Sequence, residues 1–187
     1  MIDAQQQGPR LVVVPKGDGI EAPYAIGRYE MAVAQWNVYC RSSGACAPLS
    51  SPDTDPLANI TLAQARAYAQ WLSEKTGARY RLPTTAEWQH AVAAPRAARN
   101  DDNCVVPAAG RGGTPRSVTQ GGQNEWGLLN YLGNVQEWTD IGGGAVEARG
   151  GNYREPLQEC VSTQAAAHDG SADAVTGFRL VREITGL

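Results

Sequence analysis

Asn130 and Glu137 stand seven residues apart, on either side of a Gly133-Asn134 turn. An amide oxygen, a carboxylate and the carbonyls of a turn are what a hard cation such as calcium requires, because it takes about six to eight oxygen ligands. The remaining reactive side chains are sparse. Cys40, Cys46, Cys104 and Cys160 include no C-x-x-C pair, and His90 and His168 are the only two histidines, so no zinc site is expected. Cys40 and Cys46 flank a Ser42-Ser43-Gly44 turn short enough for a bridge to close. Cys104 and Cys160 are left as a long-range pair, and four buried free thiols are the other reading that stays open. His90, one turn after Glu87, reads as an ordinary helix residue. His168, in Ala167-His168-Asp169-Gly170, reads as a turn residue within reach of a ligand. No Ser-His-Asp order, phosphate loop or pair of carboxylates stands out, so no catalytic residue is assigned.

The elements that must position these side chains are short. Leu11 to Pro15 and Tyr24 to Arg28 read as strands around a Lys16-Gly17-Asp18-Gly19 turn. Val33, Trp36, Tyr39 and Cys40 recur at helical spacing up to Gly44. A second helix opens on the Thr61/Gln64 capping box, carries Leu62, Ala65, Tyr68 and Leu72 on one face, and stops at Gly77. Tyr80-Arg81-Leu82 is a short strand before Pro83. Thr84 and Glu87 repeat the capping box and open a third helix with Trp88, Ala91 and Val92 toward the core. Residues 95–124 read as an irregular excursion tied down by Cys104. Strands are expected around Gln136 to Thr139, Val146 to Arg149 and Gly177 to Arg182.

A chain of 187 residues with 42% apolar side chains can bury the core of one domain; residues 1–9 read as a tail and 10–187 as that domain. One Phe against five Trp and seven Tyr means that the aromatic core needs partners for its N–H and O–H groups. The 21 Gly and 11 Pro point to a loop-rich α+β fold. A net charge of −3 without a basic run argues against nucleic acid as a main partner. No apolar run reaches the roughly 18 residues that membrane insertion needs. Met1 to Arg10 is polar and Gln-rich, unlike a signal peptide. Disulfides would place the chain in an extracytoplasmic or cell-surface setting, and their absence in the cytoplasm.

Four segments in one order carry a family resemblance: Arg28-Tyr29-Glu30-Met31 through Trp36; Tyr80-Arg81-Leu82-Pro83-Thr84-Thr85-Ala86-Glu87-Trp88; Gly127-Leu128-Leu129-Asn130 through Gly133-Asn134-Val135-Gln136-Glu137-Trp138; and Arg149-Gly150-Gly151-Asn152-Tyr153 with the closing Gly177-Phe178-Arg179. Over roughly residues 10–183 the chain resembles the formylglycine-generating-enzyme, or sulfatase-modifying-factor, domains. The resemblance implies an α+β, C-type-lectin-like fold with its termini on a shared sheet and a ligand-facing second half. It implies one structural calcium held by Asn130, the carbonyls of Gly133 and Val135, and Glu137. A second family calcium site finds no match at 101–106.

Copper enzymes of that family hold the metal between two cysteines beyond the Arg-Gly-Gly segment. Those two positions fall on Glu155 and Cys160. A carboxylate is a poor Cu(I) ligand, so no copper is expected, and two histidines cannot make the three-histidine iron site of other relatives. The resemblance thus implies a non-catalytic domain that binds a protein or small-molecule ligand. Its surface would be drawn from Asp140, Asn152, Tyr153, Arg154, Glu155, Gln158, Gln164 and His168. The sensor domain of a receptor-like kinase and a retroelement-diversified variable protein are the two contexts that fit. The alternative is a formylglycine-generating-type oxidase acting on a protein cysteine with an altered metal site, which needs Cys160 free and Glu155 as a ligand.

Overall fold

The computed structural model describes residues 8–94, 104–105 and 113–184. Most of the N-terminal tail, much of the 95–124 excursion and most of the 101–106 segment lie outside the described residues. Strands β1 (Leu11–Val14) and β2 (Tyr24–Gly27) form an antiparallel pair. Helices α1 (Val33–Ser43), α2 (Leu62–Thr76) and α3 (Thr85–Val92) follow, with β3 (Tyr80–Arg81) between the last two. Both expected capping boxes form, at Thr61/Gln64 and Thr84/Glu87, and Gly44 and Gly77 end α1 and α2 in the left-handed conformation.

The second half supplies β4 (Gln136–Gly142), β5 (Ala145–Arg149), β6 (Ala165–His168), β7 (Thr176–Gly177) and β8 (Val181–Arg182). One sheet has the order β1-β2-β8-β3 and the other β6-β5-β4-β7. The β2–β8 pairing sets the last strand beside the N-terminal hairpin. The expected strand from Gly177 to Arg182 is broken into β7 and β8, because the chain crosses from one sheet to the other at Phe178-Arg179-Leu180. β6 carries three consecutive Ala, which lack the branched and aromatic side chains that signal a strand, so it has no counterpart among the expected strands.

The core rests on Trp and Tyr. One cluster packs Trp36, Tyr39, Tyr68 and Trp71 of the first two helices against Trp138 and Phe178. Tyr39 meets Tyr68 edge-on at 5.5 Å between ring centres, and Phe178 stacks on Trp138 at 6.4 Å. A second cluster joins Ile26, Trp88, Leu128, Tyr131 and Val181. The closing motif needs its glycine: a Cβ on Gly177 would lie 2.8 Å from Leu57 O and 2.9 Å from Val135 Cγ2.

Candidate functional site

The expected cation turn is folded inward. Asn130 and Asn134 adopt left-handed φ angles of 50° and 73°, which Asn tolerates better than other residues with a Cβ. Both side chains are fully buried. Leu129 N donates to Arg28 O at 2.8 Å and Met31 N to Phe178 O at 2.8 Å. The Arg28-to-Met31 segment is thereby held between the turn and the crossover, and its Glu30 lies under the two asparagines.

Glu137, the expected carboxylate ligand, is paired with Arg179 and Trp88. Its Oε2 accepts from Arg179 Nε at 2.7 Å and Trp88 Nε1 at 2.8 Å, and its Oε1 accepts from Arg179 Nη2 at 2.6 Å. The guanidinium also donates to Gly27 O and Leu129 O. Burial pushes the Arg179 pKa down, but Glu137 outweighs it and holds the group above its ordinary value. A buried ion pair with its donors and acceptors satisfied is the state in which two charges can sit in a core.

Glu30 is the other fully buried carboxylate, and it has no ion-pair partner among the described residues. Asn130 Nδ2 donates to its Oε2 at 3.3 Å and Asn134 Nδ2 to its Oε1 at 3.0 Å. The same two amides reach Val118 O at 3.3 Å and Arg116 O at 3.2 Å. Burial pushes the Glu30 pKa up to about 8, and the Arg179 charge only partly offsets this. Asn134 Oδ1 is engaged by Arg116 N at 2.9 Å. Asn130 Oδ1 is buried with no partner among the described residues. An orphaned oxygen is what a missing ligand leaves behind, so Asn130 fits a calcium ion. Glu137 does not fit in the same way, because both of its oxygens are committed to Arg179 and Trp88.

The expected binding surface divides. Register sets Asp140 and His168 on either side of Val146, at the hairpin end of the second sheet. Residues 152–164 lie beyond Arg149 at the opposite end. Arg154 and Gln158 are exposed, and Glu155 and Gln164 are half-buried. Asn152 and Tyr153 do not present their side chains to solvent: both are buried, Tyr153 donates its hydroxyl to Ala174 O at 3.1 Å, and Glu155 Oε2 accepts from Asn152 N at 3.1 Å. His168 belongs to a closed network. Its Nδ1 accepts from Gly170 N and its Nε2 lies 2.9 Å from Asp173 Oδ2, which also accepts from Thr176 Oγ1 at 2.7 Å. Burial pushes the Asp173 carboxyl up, but Thr176 and His168 outweigh it and hold it below its usual range.

Cys40 is bridged to Cys46 and Cys104 to Cys160. A Cβ on Gly151 would lie 2.7 Å from Glu159 O and 2.9 Å from Cys160 Cα, so the Arg-Gly-Gly segment packs directly on the backbone of the second bridge. His90 is more than an ordinary helix residue: it is buried, with Nε2 2.9 Å from Pro15 O and Nδ1 3.0 Å from Asp18 Oδ2.

Sequence reasoning assigned no role to Glu30, Asn134, Arg179, Asp173 or Thr176. The first three stand inside the quoted motifs, in Arg28-Tyr29-Glu30-Met31, Gly133-Asn134 and Gly177-Phe178-Arg179. A polar or charged residue embedded in those motifs was the available signal.

The family described as "sulfatase-modifying factor enzyme 1-like domain" matches residues 14–184. No curated protein matches the chain. Among solved structures, PvdO from Pseudomonas aeruginosa is similar at 20% identity, covering 95% of this chain and 92% of its own, with a TM-score of 0.71. CarF is similar at 22% identity, covering 94% of each chain, with a TM-score of 0.71. Variable protein 1 of Treponema denticola is similar at 18% identity, covering 94% of this chain and 92% of its own, with a TM-score of 0.69.

Proposed function

The chain belongs to the sulfatase-modifying factor enzyme 1-like domain family, and from that premise we propose that it is a non-catalytic binding module on a calcium-supported, C-type-lectin-like scaffold. The Cys104–Cys160 bridge is the observation that carries this reading. It consumes the cysteine at the second copper position of the family's oxidases, and the first position holds Glu155, which is tied to the Asn152 backbone. A thiolate pair is what Cu(I) selects, and here there is none to offer. The two bridges also favour an oxidising compartment.

The exposed part of the 152–164 segment, with Arg154 and Gln158 at its surface, is the proposed contact region for a protein or small-molecule ligand. The Cys104–Cys160 bridge, the buried network and the second sheet fix the backbone beneath it, and a rigid scaffold lets loop side chains vary without loss of fold. The likeness in fold to the Treponema denticola variable protein favours the variable-protein context over the kinase sensor. Calcium at the Asn130 turn would supply a fixed positive centre to which buried oxygens are drawn.

The test incubates the oxidised protein with copper and a cysteine-containing peptide, and reads copper affinity by competition and aldehyde formation by mass spectrometry. Weak copper binding and no aldehyde are expected. Turnover by the bridged protein would overturn the non-catalytic reading.

A further inference from the structure

Arg182, in the last strand, carries a cation that no acid among the described residues neutralises. Successive side chains of a strand point to opposite faces of the sheet. Register sets Arg182 beside Ala25 of β2 and Tyr80 of β3, and sets Val181 beside Ile26 and Arg81. Glu183, the next residue, takes Arg79 on one carboxylate oxygen and Arg81 on the other, so it serves the Arg81 face. Arg182 is left without a side-chain hydrogen bond or ion pair among the described residues, and its Nε is shielded from solvent with no acceptor. On the same face β2 offers only small residues: Ala25 opposite Arg182, and Gly27 opposite Leu11. The hollow between β1 and β8 belongs to a cleft of about 360 Å³, lined by Pro9 and Leu11, by Thr76 and Ala78 at the end of α2, and by Tyr80 and Arg182. That volume is at the small end of ligand pockets. The carbonyl end of α2 is the negative feature nearby, and it is partly neutralised: Gly77 N donates to Ser73 O and Thr76 Oγ1 to Leu72 O. The walls are otherwise apolar, and one guanidinium matches one carboxylate through two parallel N–H···O bonds. A phosphate would need more donors than this cleft supplies.

We infer that this cleft binds a small carboxylic acid, its carboxylate paired with Arg182 and its apolar chain laid against Pro9, Leu11 and Ala78. The site belongs to the first sheet, apart from the 152–164 segment, and stands whether or not that segment contacts a ligand. The test titrates hexanoate into the isotope-labelled full chain and follows amide NMR shifts, with hexanol and inorganic phosphate as comparison ligands. Hexanoate should give saturable shifts centred on the Tyr80 and Arg182 amides. Hexanol and phosphate each offer half of the match, so both should bind at least about tenfold more weakly. Arg182→Met keeps the apolar stem and removes the charge, and should weaken hexanoate by at least about tenfold, the worth of one charge-assisted pair. Ala78→Phe keeps the charge and fills the cleft, and should weaken it likewise, while the amide spectrum reports that each variant is folded. Arg154→Ala should bind as the parent does. No saturable hexanoate binding, equal binding of hexanol, or parent-like binding by Arg182→Met or Ala78→Phe would overturn the inference. So would phosphate binding more tightly than hexanoate, or a loss of hexanoate binding in Arg154→Ala.

Discussion

Arg179 and Glu137 meet through two hydrogen bonds in a core where each side chain is at most 2% exposed. Such a pair contributes little net stability compared with an apolar replacement of both residues, but breaking it strands a buried charge, at about 3–5 kcal/mol. Arg179→Ala is therefore expected to lower the unfolding free energy by about that amount, whereas Arg179→Met with Glu137→Leu should recover most of it. Urea unfolding of the three variants checks this, and equal losses in the single and double variants would refute the pairing. At this scale the sequence was half legible. Asn130 could be picked out, because an amide beside a Gly-Asn turn suggests a ligand. Its neighbour Glu30 lies 100 positions away, and no spacing rule links the two.

Helix α3 shows how an element holds the site. Its Trp88 reaches Glu137, and its first turn is anchored by Glu87, whose Oε2 accepts from Thr84 N at 2.8 Å and from Arg81 Nη1 at 2.7 Å, while Oε1 takes Arg81 Nη2 at 2.7 Å. Burial pushes the Glu87 pKa up, but Arg81 and Thr84 outweigh it and hold it below the usual carboxylate range. A depressed folded pKa means that the unfolded chain binds the proton more readily. The stability this carboxylate provides is thus fully present above the unfolded value of about 4.3, and is lost as pH falls through the folded value. Melting temperature should rise with pH across that acid window, and less steeply in Glu87→Gln than in the parent. Identical slopes would show that Glu87 does not carry the effect. The capping box was readable because it is local, its two ends only three positions apart. The Arg81 contribution was not, since Arg81 approaches across the β3-to-α3 turn only once that turn has folded.

For the whole molecule, the two bridges close loops of very different size, with sequence separations of 6 and 56. Loop-closure entropy makes the longer one more stabilising by about 2 kcal/mol at room temperature. Replacing Cys104 and Cys160 by Ser is expected to cost about that much more than replacing Cys40 and Cys46, as read by denaturant unfolding. A larger loss from the short loop would show that local strain, not chain entropy, governs. The order of the four motifs determined the family and the fold, and helical period, caps and glycine stops placed all three helices, because each of those signals acts within a few residues. The crossover that splits β7 from β8, the commitment of Glu137 to Arg179, the burial of Tyr153 and the isolation of Glu30 were decided only by the tertiary structure. Each depends on which groups become buried together, and that is settled only when segments far apart in the chain come to share one interior.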